Sequence, residues 1–119
     1  MPEQTPKPSQ QEIEKMLRDY QLVQEQIRAF SLQSEQLQVQ KNELETAKDE
    51  VGKSTGKVYI TVGGVIVETT KDTALKTIGE RSETSEVRMQ SMNKQLSDLK
   101  AKEKQLREKL TQVSNSMQQ

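Results

Sequence analysis

Two hydrophobic heptad runs, arranged as mirror images about one Gly63-Gly64 pair, constrain this chain more than any other feature. In the first run Ile13, Met16, Tyr20, Val23, Ile27, Phe30, Leu37, Leu44 and Val51 alternate three- and four-residue steps, with Ser34, Lys41 and Lys48 as its polar members. In the second, Leu75, Ile78, Met89, Met92, Leu96, Leu99, Leu106, Leu110, Val113 and Met117 keep the same phase, interrupted by Ser82, Ser85 and Glu103. An apolar repeat averaging 3.5 residues keeps one seam facing a partner helix and so specifies a left-handed coiled coil. Ile13 lies as far before Gly63 as Val113 lies after it, and Val51 and Leu75 are related in the same way. The predicted fold is mainly α: an antiparallel coiled coil of two helices with one central β-hairpin at the bend.

Composition agrees with a narrow seam. Apolar residues make up 30% of the chain, charged residues another 30% and aromatics 3%, which is too little apolar material for a globular core. At 119 residues there is room for one domain. Eighteen basic and eighteen acidic residues cancel, leaving no electrostatic footprint for nucleic acid or an anionic membrane surface. Cysteine and histidine are both absent, which removes disulfides, thiolate and imidazole metal ligands, and the commonest general base. No apolar run approaches the roughly 20 residues of a membrane span. The stretch carrying Pro2, Pro6 and Pro8 has no signal-peptide character, so the expected location is cytoplasmic.

Along the chain, residues 1–8 read as a disordered arm, because three prolines among polar neighbours cannot join a helix. Residues 9–119 then form the coiled coil. Ser9-Gln10-Gln11-Glu12 fits a capping box, and the first helix is expected from about Gln10 to Val51, a length of roughly 60 Å. Gly52 is the expected residue just past its end. Val58-Tyr59-Ile60-Thr61-Val62, Gly63-Gly64 and Val65-Ile66-Val67-Glu68-Thr69 predict a hairpin over about 57–69, since two glycines can take the positive φ of a type I′ turn. That register sets Val62 against Val65 and Ile60 against Val67, so Val58, Ile60, Val62, Val65 and Val67 share a face. Tyr59, Thr61, Ile66 and Glu68 take the other. Asp72 is the expected cap of a second helix running from about Thr73 to Val113 or Met117, with Gly79 inside it and a frayed tail over residues 114–119.

Three features go beyond a plain coiled coil. An isolated two-stranded hairpin is marginal in water, and its unpaired apolar edges invite pairing, so Val58, Ile60, Val62, Gly63, Gly64, Val65, Ile66 and Val67 are predicted to drive oligomerisation into a closed barrel or sheet. Lys41 opposite Ser85, with Lys48 nearby, leaves the seam next to the bend weakly packed: either other chains cover it or it is a register device. Val23 opposite Glu103 is a further weak layer, expected to be tolerated because a long side chain can reach out to water. At the far end Ile13, Met16, Leu17, Tyr20, Leu110, Val113 and Met117, with Leu22 outside the seam, have two readings. They form an adaptable apolar surface for varied partners, or they are ordinary packing with a few exposed leucines. No catalytic residue, metal ligand or cofactor site is predicted. Gly63-Gly64 lacks the Gly-Lys-Ser/Thr of a phosphate loop, and a two-helix coil has no enclosed pocket.

The order of long helix, hairpin and long helix resembles the prefoldin family, specifically its β-class subunits. The resemblance rests on Gln40-Lys41-Asn42-Glu43-Leu44-Glu45, on the run from Val58 to Glu68, and on Glu80-Arg81 with Arg88-Met89. The glutamine-rich first helix, with Gln21, Gln24, Gln26, Gln33, Gln36 and Gln38, is similar as well. It covers about residues 10–117, and the single hairpin between mirror-phased helices is its discriminating part. Ile60 departs from the pattern, standing where the family often has a polar or basic residue.

What the resemblance implies is an ATP-independent chaperone subunit in a hetero-hexamer of two α-class and four β-class chains, whose hairpins build a double β-barrel body. The coiled coils would hang from that body, hold unfolded client proteins at their tips and deliver them to a group II chaperonin. The client-binding residues expected on this reading are Ile13, Met16, Leu17, Tyr20, Leu110, Val113 and Met117. The rival expectation is a structural coiled-coil tether or adaptor that oligomerises through the hairpin and keeps its tips closed.

Overall fold

A computed structural model describes residues 8–117. Its elements are helix α1 (Gln10–Lys53), strands β1 (Val58–Val62) and β2 (Val65–Thr69), and helix α2 (Lys71–Met117). The predicted arm over residues 1–8 lies, apart from Pro8, outside the described residues. The fold divides into a terminal unit, built from the chain up to Leu32 and from Lys94 onward, and a central unit spanning 33–93.

Helix α1 starts as its sequence directs. Ser9 Oγ accepts the Glu12 amide at 3.2 Å, which is the first half of the expected capping box and satisfies one otherwise unpaired amide. The Ser9 carbonyl accepts the Ile13 amide at 3.0 Å as the first intrahelical bond. Its end differs from expectation. Gly52 keeps a helical backbone and the helix continues through Lys53, where the Ser54 amide bonds the Val51 carbonyl at 3.1 Å and tightens the last turn. Gly52 is therefore not the residue past the helix; Ser54, Thr55 and Gly56 stop it.

The central unit carries the hairpin. Among the described residues positive φ occurs only at Gly63 (55°) and Gly64 (82°), both required by a type I′ turn, whose twist matches that of the flanking strands. Val62 pairs with Val65, Ile60 with Val67 and Val58 with Thr69, the register that the two-residue loop dictates. Behind β2, Thr70 rather than Asp72 caps α2. Its Oγ1 accepts the Thr73 amide at 3.1 Å and its carbonyl accepts the Ala74 amide at 2.9 Å. Asp72 falls inside the first turn, where a carboxylate suits the positive end of the helix dipole. At the other end α2 stays helical through Met117, so the predicted fraying of residues 114–117 is not observed, and residues 118–119 lie outside the described ones.

Within the central unit the helices run antiparallel: Ser34 Oγ donates to Asn93 Oδ1 at 3.4 Å, and Lys41 Nζ lies 3.3 Å from Glu86 Oε2. Each polar partner is one residue beyond the mirror position, as expected of side chains bridging at the rim of a seam. Seam residues are mostly half-buried, because each helix has one neighbour to cover it. Near the hairpin the seam shifts. Lys48 is exposed and Ala47 half-buried in its place, while Ala74 is buried. A straight helix drifts about 20° per heptad against a 3.5-residue repeat, which turns the lysine out and brings a small side chain in. Ser85 is buried, and its Oγ has no hydrogen-bond partner among the described residues.

Candidate functional site

Two surfaces are built by these elements, one in each unit. In the terminal unit, α1 contributes Ile13, Met16 and Tyr20 and α2 contributes Leu110 and Val113, all half-buried. Leu17 (46% exposed) and Met117 (71%) stand outside the seam. A groove of about 450 Å³ runs between the helices here, with Met16, Leu106 and Val113 among its apolar lining and Glu12, Lys15, Asp19 and Lys109 among its charged lining. The seam predicted from the heptads is thus present, lightly covered, and flanked by exposed apolar side chains. Met117 is placed on the surface rather than in the seam.

Tyr20 has a second partner that the heptads did not reveal. Its hydroxyl donates to Glu103 Oε1 at 3.1 Å, across the two helices. Arg107, one turn further along α2, donates from a guanidinium nitrogen to Oε1 at 3.2 Å and Oε2 at 3.4 Å. Glu103 therefore does not reach out to water as expected. Its side chain is 17% exposed and is held between a phenol and a guanidinium. The adjoining Val23 is the most deeply buried side chain described, at 1%. The hydrogen bond to Glu103, then burial, then the nearby carboxylate charge raise the Tyr20 pKa above the ordinary tyrosine value, with Arg107 opposing. Glu103 stands opposite position 23 in the mirror register, one seam step from Tyr20, and that proximity was the available signal in the sequence.

The central unit presents the hairpin. Of its predicted apolar face Val58 is buried and Ile60 half-buried, whereas Val62, Val65 and Val67 are exposed; Ile66, on the opposite face, is 72% exposed. The sheet has two strands among the described residues, so each strand has one edge without a partner. Lys57 and Glu68 approach to 4.0 Å, a solvent-exposed ion pair of small energetic weight. Apolar side chains that the heptad reading left aside, Leu32, Val39 and Val87, are also exposed on the helices.

Among the described residues no group of three or more carboxylates, histidines or cysteines is placed to hold a metal ion. No helix among the described residues is long and apolar enough to cross a membrane.

The comparisons with known proteins agree with one another. A family model described as "Prefoldin subunit" matches residues 14–116. The prefoldin subunit beta of Pyrococcus furiosus is 35% identical over 101 residues, covering 83% of this chain and 86% of that one. Its counterpart in Methanosarcina acetivorans is 30% identical over 104 residues, covering 86% and 89%. The crystal structure of the prefoldin beta subunit from Thermococcus strain KS-1 superposes with a TM-score of 0.79 at 31% identity, covering 92% of this chain and 96% of that one.

Proposed function

The chain belongs to the prefoldin family as a β-class subunit, and from that premise we propose that it is an ATP-independent holdase that captures unfolded polypeptides at the ends of its coiled coil. The observation that carries this reading is the lightly covered apolar layer of Ile13, Met16, Leu110 and Val113, with Leu17 and Met117 exposed beside it. Unfolded clients are chemically diverse, so their receptor needs adaptable apolar contacts rather than a fixed hydrogen-bond code. One such surface binds weakly; several on one assembly gain by effective concentration.

The hairpin supports the assembly half of the proposal. Its exposed valines and unpaired edges suit burial against hairpins of other subunits, proposed as two α-class and four β-class in all, and the proposal extends to cytoplasmic hand-over to a group II chaperonin. A tether would share the hairpin but keep its tips shut, and the same half-buried layers are compatible with it. Trimming residues 1–20 and 108–119 separates the two. The trimmed chain should still assemble yet fail to keep a diluted, denatured substrate soluble, with little dependence on salt. Full holding by the trimmed chain would remove the tips as the client site.

A further inference from the structure

We propose that Tyr20 and Glu103 form a positioning clamp that sets the inner limit to which the terminal unit opens. The inference deepens the client-binding reading above and rests on it for its functional meaning. In the terminal unit the Tyr20–Glu103 bond is the one side-chain hydrogen bond between α1 and α2 among the described residues. It lies where burial changes. The buried side chains of this unit, Val23 and Leu96, both lie on the hairpin side of the bond. Beyond it Ile13, Met16, Leu110 and Val113 are only half-buried and Met117 is exposed.

Separating the helices beyond the clamp exposes little that is not already wet. Carrying the separation through it breaks the phenol–carboxylate hydrogen bond and uncovers Val23, so a charge-assisted bond and buried apolar surface are lost together. Arg107 reinforces the barrier by fixing both Glu103 oxygens from its own helix, so the carboxylate is aimed before the phenol arrives. Opening therefore runs from the helix ends as far as Tyr20 and stops. Ile13, Met16 and Leu17 with Leu110, Val113 and Met117 become the client-holding segment, and Tyr20 becomes its border rather than part of its floor.

Hydrogen exchange on the full chain in its native assembly tests this. Tyr20→Phe keeps the ring and removes the donor; amides in 20–27 and 99–106 should exchange about three- to tenfold faster, with those of the central unit unchanged. Glu103→Gln keeps an acceptor for the phenol but gives up the charge and one of the oxygens that Arg107 holds, so its rise should stay clearly below that of Tyr20→Phe. With a denatured client bound, protection should end before Tyr20 in the parent chain and reach Val23 and Ile27 in Tyr20→Phe. Unchanged exchange in Tyr20→Phe, an even rise along both units, or equal loosening by Glu103→Gln would each overturn the clamp. A disulfide between cysteines placed at positions 16 and 110 decides the client reading separately. If clients are still held with the tips locked shut, that reading fails, while the exchange rates judge the clamp on their own.

Discussion

Ile60 sits directly opposite Val67 in the hairpin ladder, and the two side chains fall on the same face as Val62 and Val65. An apolar pair at the middle of an otherwise uncovered two-stranded sheet is the contact most damaged by charge. Replacing both by lysine should release monomers that keep their helical circular dichroism. Light scattering checks the mass, and an unchanged oligomer would remove the hairpin as the assembly element.

Tyr20 gives the chain a pH dependence at the alkaline end. Its proton is held more tightly in the folded chain, chiefly by the hydrogen bond to Glu103, than in the unfolded one. The resulting stabilisation is fully present below the ordinary tyrosine value of about 10 and is lost as pH rises through the raised folded value. In a Tyr59→Phe chain the remaining phenolate absorbance should appear at higher pH when folded than in urea. Coincident titrations would show that the bond to Glu103 is not maintained in solution.

Phe30 is half-buried, and the mirror register sets it against the buried Leu96. A fully enclosed phenylalanine costs about 3–5 kcal/mol on truncation, so Phe30→Ala should cost roughly 2–3 kcal/mol by denaturant unfolding. Cysteines at positions 27 and 99 should oxidise to a cross-link within one chain. A cross-link between two chains through position 27 would contradict the antiparallel register.

The start of α2 can be tested at two neighbouring residues. Thr70→Ala removes the oxygen that accepts the Thr73 amide and should destabilise the chain by about 1 kcal/mol, whereas Asp72→Ala should cost a few tenths. The reverse order would return the cap to Asp72.

Gly79 lies in the first turns of α2, exposed, with open space where a Cβ would be. Gly79→Ala should stabilise the chain by about 1 kcal/mol, read as a higher thermal midpoint. A loss of stability confined to the assembled state would mean that another subunit packs against this position.

The features legible in the sequence were those governed by local periodicity. Heptad spacing alone placed nearly every residue that α1 and α2 turn toward each other, since side-chain direction repeats with the helix itself. Two glycines between β-branched runs were enough for the turn type and the whole strand register, because a two-residue loop admits only one pairing. The caps were ambiguous: Thr70 and Asp72 are both good capping residues, and the choice fell to where the chain leaves β2 at Thr69. Gly52 similarly stayed helical because the last turn closed on Ser54 instead. Lys48 left the seam for Ala47, and Glu103 turned inward to Tyr20 and Arg107, through geometry between helices. A heptad pattern specifies which face of a helix is apolar; it does not specify how far that face rotates, how tightly each layer closes, or which diagonal neighbour a polar seam residue reaches. Those quantities depend on the distance and phase between two helices at each layer, and only the tertiary structure decides them.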